Sequence, residues 1–356
     1  VISGPEQEQI GKIPSRIFRE VIFPHLGAHR LDVLVGPRHG LDAGIVHLGR
    51  EQVLAVTADP FYVQPELGWE RAAWFAVHIV ASDAATTGLR PTHLSVDLNL
   101  PPSMTDSELE ALWLAVDAAC REIGLAVVAG HTGRYEGCDY PMLGGATVLA
   151  MGAEDAFVTP AMARPGDAIL ITKGVAIETA VLLAVSFPRV LEEGLGADLV
   201  SAAQKLFGQM SVVRDAGVAV GVGVRNRGVT SMHDATERGL FGGLHEIADA
   251  SHVGMVVDRD AIGMPEPVRA ICDLLHINPY EASSEGTLIL TCVAAYSSQI
   301  ERRLRKNGID VYRIGEVVPP DRGLQLVVDG REQPLPVPAA DAFWPAYVAA
   351  RDGLVP

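Results

Sequence analysis

Between residues 44 and 151 the apolar positions switch repeatedly between a period of two and a period near 3.6. Residues 44–48 and 53–57 alternate as two short strands about a turn at Gly49-Arg50. Residues 70–87 carry helical spacing and stop at Gly88, and residues 93–100 alternate as a strand that Pro101-Pro102 ends. Thr105, with Glu108 three residues on, predicts a capping box for a helix running to about Ile123, with Gly124 as its stop. Residues 126–129 predict a short buried strand, and residues 143–151 another, rich in small side chains. The order ββαβαββ predicts an α+β layer with crossovers.

Residues 154–166 break this pattern with Pro160, Pro165 and Gly166, and the domain boundary is placed there. The expected division is a first domain over 1–155, a second over 156–330 and a Pro- and Ala-rich tail over 331–356, packed on one domain. The second half opens on a strand at 168–172, followed by a helix-rich block over 177–224. A helix at 240–250, a strand at 253–257 and a helix at 267–275 come next. A strand at 288–294, a helix at 298–307 and strands at 311–318 and 324–328 complete it.

At 356 residues the chain exceeds one ordinary core, which agrees with two domains. The net charge of -16 disfavours binding to a nucleic-acid backbone. It is compatible with small polyphosphates, because carboxylates can hold Mg²⁺ and the metal then carries the phosphates. No apolar run reaches membrane-spanning length; residues 175–187 fall short and are interrupted by Glu178. Residues 1–9 lack the basic and apolar regions of a secretory signal, so a cytoplasmic location is expected. Cys120, Cys138, Cys272 and Cys292 form no C-x-x-C pair, which argues against a zinc knuckle; Cys120 and Cys292 read as buried inert thiols.

The densest chemistry lies in Ser231-Met232-His233-Asp234-Ala235-Thr236-Glu237-Arg238-Gly239-Leu240, read as a turn that opens the following helix. A helix start is an anion seat, and His233 beside it is a candidate general acid or base. His233 as a helix-entry residue bonding a carbonyl, and Asp234 as an N-cap, are the structural alternatives.

Three acids stand apart in the first half. Asp42 precedes the first strand, Asp59 ends the second, and Asp83 sits among alanines in the first helix. Acids at successive element ends can converge on Mg²⁺, whereas Asx-turn chemistry accounts for Asp42 and Asp59 without a ligand. Asp83 is costly to bury without a partner. In Ala129-Gly130-His131-Thr132-Gly133-Arg134 the glycines permit close backbone approach, and His131 and Thr132 could meet a metal-bound phosphate; an ordinary satisfied histidine fits as well. Glu285, beside Gly286 at a strand start, either orients substrate or serves a turn. Lys12 either closes over phosphates from an N-terminal arm or is simply solvated.

In order along the chain come Gly40-x-Asp42-Ala43, Thr57-x-Asp59, Ser82-Asp83-Ala84-Ala85 leading to Thr87-Gly88-Leu89-Arg90-Pro91, Gly130-His131-Thr132, His233-Asp234-Ala235-Thr236 and Ser284-Glu285-Gly286. This series resembles the aminoimidazole ribonucleotide (AIR) synthase superfamily over roughly residues 11–320, nearest its HypE-like and AIR synthase-related branch. Gly11-Lys12-Ile13-Pro14 points to the same branch.

The resemblance implies two α/β domains and a homodimer whose N-terminal sheets join into a barrel. It implies ATP between the N-terminal domains of the two chains, with Mg²⁺ on the acids. Asp42, Asp59 and Asp83 would then be the magnesium and triphosphate acids, and His233 and Asp234 would face the transferring phosphate. The departures are His131 in place of an acid, Arg71 in place of a common Lys, and Glu237 in place of a common Arg. The sequence shown also lacks the C-terminal Cys of HypE-type dehydratases, so carbamoyl dehydration on its own tail is not expected, and a maturation partner would supply the thiol.

The function expected is an ATP- and Mg²⁺-dependent ligase or phosphotransferase acting on an oxygen (amide, carboxylate or phosphate) of a small substrate. The alternatives are a HypE-like maturation factor acting on a partner protein, and a non-catalytic nucleotide-binding assembly dimer. Substrate choice is expected from the loops at 174–179 and 225–230.

Overall fold

The computed structural model describes residues 15–353, so Lys12 lies outside the described residues. The first domain contains strands β1 (Val33–Val35), β2 (Gly44–Gly49) and β3 (Gln52–Tyr62), helix α1 (Trp69–Thr86), β4 (Pro91–Leu100), α2 (Asp106–Ile123), β5 (Ala126–Arg134) and β6 (Met142–Ala153). Its six strands form one sheet in the order β1-β2-β3-β6-β4-β5, with β4 and β5 parallel and the other pairs antiparallel.

The second domain begins with β7 (Asp167–Thr172) and the helices α3 (Ile177–Ser186), α4 (Pro188–Leu195), α5 (Ala197–Gln204) and α6 (Val213–Val220). Next are β8 (Val229–Asp234), α7 (Gly239–Ser251), β9 (Gly254–Asp258), α8 (Glu266–Leu274), β10 (Leu288–Val293), α9 (Ser297–Lys306), β11 (Val311–Val318), β12 (Leu324–Val328) and β13 (Arg331–Pro334), and α10 (Phe343–Arg351) closes the described chain. The seven strands run β13-β12-β9-β11-β7-β10-β8.

Helix α1 is the pivot of the molecule. Its Ala72, Ala73, Ala76, Ala81 and Ala84 are all buried, and small side chains let its backbone lie close to both the first sheet and α2. The capping box on Thr105 is present: Thr105 Oγ1 accepts from Glu108 N–H while the Glu108 carboxylate accepts from Thr105 N–H. Strands β7 and β8 are buried at every residue, which is why they read as unbroken runs rather than alternations. One apolar cluster runs from α1, β4 and α2 into α3, α5, α8 and α10, so the two domains share part of their core.

Several local readings change. The residues expected as a turn, Ser231 to Asp234, complete strand β8, whereas α7 starts at Gly239, within one residue of the expected position. Asp234 is therefore not a helix N-cap; Arg238 holds that position in the left-handed region, at φ 63°. Strand β3 continues to Tyr62, so Asp59 and Pro60 lie inside it rather than at its end. Strand β5 extends through His131 and Thr132 to Arg134 and is almost wholly exposed at the sheet edge, not short and buried. The tail adds strand β13 to the second sheet, and Tyr347 of α10 takes a hydrogen bond from Gln64 Nε2 (2.8 Å), so it ties both domains. Cys120 and Cys292 are buried free thiols, as expected.

Candidate functional site

Strand β8 delivers His233 and Asp234 to the seam between the domains, paired in register with Ile289 and Leu288 of β10. His233 is 1% exposed, and three carboxylates surround it. Its Nδ1 lies 3.2 Å from Asp42 Oδ2, on the segment before β2, and 3.5 Å from Asp234 Oδ1. Its Nε2 lies 2.8 Å from Glu246 Oε2 on α7. Burial pulls the His233 pKa down, but the Asp42 charge and the bonds to Asp234 and Glu246 overcome it and hold the pKa well above its ordinary value. With no metal bound, these contacts favour the imidazolium form.

Asp83 projects from α1 toward the same point. Burial first, then the charges of Asp234, Asp42, Asp59 and Glu285, push its pKa well above the usual carboxylate range. These mutual effects place five acids from five chain segments around one locus. Glu285 is 2% exposed, and its pKa is likewise raised by burial and by Asp234 and Glu178. A hydrogen bond to Ser82 of α1 partly offsets that rise. The turn that carries Glu285 requires Gly286: its φ is 99°, and a Cβ there would stand 2.2 Å from Gln209 O.

The donor set suits a hard divalent cation. Asp42, His233 and Asp234 each offer an atom within 4.8 Å of the others. Both Asp234 oxygens are buried, and apart from the long 3.5 Å contact of Oδ1 with His233 Nδ1 they receive no hydrogen bond from the described residues. Buried carboxylate oxygens without donors need a cation, and Mg²⁺ takes oxygen ligands of this kind. Asp234, Asp42 and Asp83 could hold it, with Asp59 close by. His233 offers a ring nitrogen to the same point, so beside a cation it could be either a ligand or a hydrogen-bond donor.

Other expected residues lie apart. His131 and Thr132 are exposed on the β5 edge, where His131 faces Asp97 in register and its Nε2 lies 2.6 Å from Tyr135 Oη. Arg71 sits twelve residues before Asp83 on α1, about 18 Å along the axis, and covers the Phe207 ring at 5.5 Å.

Two acids join the site that the motifs did not single out. Glu246 lies on the face of α7 turned toward β8, and nothing local in its sequence distinguishes it from a solvated glutamate. Glu178 Oε2 accepts a hydrogen bond from Glu285 N–H at 2.9 Å, and burial pushes its pKa up to about 8. Its signal was visible: it is the acid that interrupts the apolar run 175–187.

A two-domain α/β fold with an acid cluster and a strand-borne His-Asp pair at the domain seam defines a class, and the sequence comparison agrees with it. The chain belongs to the AIR synthase related protein family: residues 40–150 match its N-terminal domain and residues 164–327 its C-terminal domain. The hydrogenase expression/formation protein HupE of Azotobacter chroococcum mcd 1 is 31% identical over 252 residues, 68% of each chain. The carbamoyl dehydratase HypE of Azotobacter vinelandii is also 31% identical, again over 68% of each chain. A crystal structure of the hydrogenase maturation protein HypE in complex with ATP superposes with a TM-score of 0.64 at 24% identity, covering 92% of this chain and 95% of that one. No helix among the described residues is long and apolar enough to cross a membrane.

Proposed function

We propose that this protein is an ATP- and Mg²⁺-dependent enzyme that transfers phosphate to an oxygen of a small substrate: an amide, carboxylate or phosphate oxygen. The observation that carries this reading is the convergence of Asp42, Asp59, Asp83, Asp234 and Glu285 about the His233 imidazolium. Alone, so many acids repel one another, and a bound Mg²⁺ would offset part of that charge. The metal, once bound, would neutralise charge on the phosphates. His233 is placed to donate a hydrogen bond, or its proton, to an oxygen of the transferring group, while Asp42 and Glu246 hold the ring in position. Asp234, Asp42 and Asp83 would hold the metal, and Glu285 and Glu178 would orient the substrate.

In this reading residues 1–155 bind nucleotide and form a homodimer, and residues 156–330 hold the substrate. The exposed β5 edge, with Val127 at 41% and Val128 at 55% exposure, supports a second copy against this sheet, closing a barrel. His131 and Thr132 would then lie at that junction, while Arg71, over the Phe207 ring, stands apart from it. Lys12 would approach the phosphates from the N-terminal arm. The protein works in the cytoplasm.

A second reading, action on an amide presented by a partner protein during hydrogenase maturation, is supported by the HupE and HypE relatives. Calorimetric titration with a non-hydrolysable ATP analogue, with and without Mg²⁺, tests the site. Magnesium-dependent binding is expected; no binding under either condition would overturn the assignment. Phosphate release with free carboxamides, set against release with a protein-borne amide, then separates the two readings.

A further inference from the structure

Behind α1 lies a cleft of about 880 Å³ that the acid cluster does not use. One wall is α1 itself, with Trp74 and His78 one turn apart; the facing wall comes from the second domain, with Lys173 after β7, Ser211 before α6, and Arg214 and Asp215 in its first turn. Five residues separate His78 from Asp83, which turns the two side chains about 140° apart around the helix axis. The cleft and the acid cluster are therefore on different faces of α1. They share a wall: Val212 N–H donates to Ser82 Oγ (3.1 Å), and Ser82 also hydrogen bonds Glu285.

The cleft offers a flat aromatic surface. Trp74 stacks on His78 with ring centroids 3.9 Å apart and planes 19° from parallel, and Phe207 leans against Trp74 at 5.5 Å. Trp74 Nε1–H donates to Glu122 Oε2 (3.1 Å), which fixes the indole. His78 Nδ1 lies 2.8 Å from Ser211 Oγ. Burial, and Lys173 nearby, push the His78 pKa down to about 4, so the ring is neutral and stacks as an aromatic rather than as a cation.

It also offers cationic donors beyond those the protein uses. The Lys173 ammonium is buried and donates to Ser211 O (2.7 Å) and Asp215 Oδ2 (2.8 Å), and its third N–H has no acceptor among the described residues. Asp215 is already committed: Thr172 Oγ1–H donates to it at 2.6 Å. Arg214 uses one N–H on Asn307 O, and Arg90 makes no hydrogen bond or ion pair among the described residues. Asp215, Glu122 and Asp310 also line the cleft and match its three cations in number, so the unused guanidinium N–H groups of Arg90 and Arg214, rather than a net positive charge, are what it offers an anion. Lys173 also keeps a left-handed backbone, at φ 63°, which a residue with a Cβ adopts at a cost.

We propose that this interdomain cleft is a second small-molecule site, separate from the acid cluster, for an anion that carries a planar ring. The ring lies against Trp74, and the anionic group faces Lys173, Arg90 and Arg214. Nothing in this assignment depends on ATP binding at the acid cluster.

Phenyl phosphate is the minimal probe, with phenol and inorganic phosphate as the single-feature controls. Calorimetric titration of the full chain should show millimolar binding of phenyl phosphate, unchanged by a saturating ATP analogue with Mg²⁺. Trp74→Leu, and the double variant Arg90→Gln/Arg214→Gln, change only partly or fully exposed side chains, and each should weaken that binding by about ten-fold, the loss of one charged or stacking contact. ATP-analogue affinity, whatever its value in the parent chain, should be the same in both variants. Absence of phenyl phosphate binding up to roughly 10 mM, equal affinity in the variants, displacement by the ATP analogue, or equal binding of inorganic phosphate or phenol would each overturn the proposal.

Discussion

Asp42 and His233 stand 3.2 Å apart across the domain seam, one on the segment between β1 and β2 and the other near the end of strand β8. The contact makes the His233 charge a property of the assembled molecule, because neither domain alone supplies all three of the carboxylates around the ring. His233→Gln removes that charge and leaves buried acids facing one another. Stability in metal-free buffer should fall by about 3 kcal/mol, and Mg²⁺ should restore a good part of it. Urea unfolding with and without Mg²⁺ reads both effects; an equal loss under both conditions would count against a metal among these acids.

Asp83→Asn acts in the opposite sense on stability. It relieves repulsion with Asp234, Asp42, Asp59 and Glu285, so the variant should melt higher than the parent when metal is absent. The same change removes a metal ligand, and Mg²⁺-dependent affinity for an ATP analogue should fall by about ten-fold or more. Unchanged affinity would remove Asp83 from the binding site.

Glu178 supplies a pH signature. Its pKa rises from 4.5 in the open chain to about 8 in the fold, so between these values the folded protein holds a proton that the unfolded chain has lost. Its contribution to stability is complete below pH 4.5 and declines as pH rises toward about 8. Glu178→Gln keeps the neutral shape and should flatten that decline. Denaturation midpoints measured from pH 5 to 8 without Mg²⁺ test this, and an identical slope in the variant would refute it.

Asp341 pins the tail. Its carboxylate accepts from Arg238 N–H at 2.6 Å, Ser283 N–H at 3.2 Å, Ser283 Oγ–H at 2.7 Å and Phe343 N–H at 2.8 Å. Asp341→Ala should cost about 2 to 3 kcal/mol and make residues 335–353 the first segment cut in limited proteolysis. An unaltered cleavage pattern would mean that α10 is held by Phe343 and Tyr347 packing alone.

Local sequence determined the strands, the main helices and the acids worth watching. Alternation, the Thr105-Glu108 box and the glycine stops are short-range signals, and the physics behind them is also short-range. Asp83 was conspicuous because an acid among alanines has to be accounted for wherever it goes. What the tertiary structure decided was which groups meet. The Ser231 to Asp234 run became a strand because β10 offers it a pairing edge and both its faces are buried; a turn reading from local polarity could not foresee that. The edge position of β5, the ties of Glu246 to His233 and of Tyr347 to Gln64, and the raised His233 pKa depend on residues far apart in the chain. Charge, unlike helix or strand preference, is set by everything within a few ångströms, and only folding brings those neighbours together.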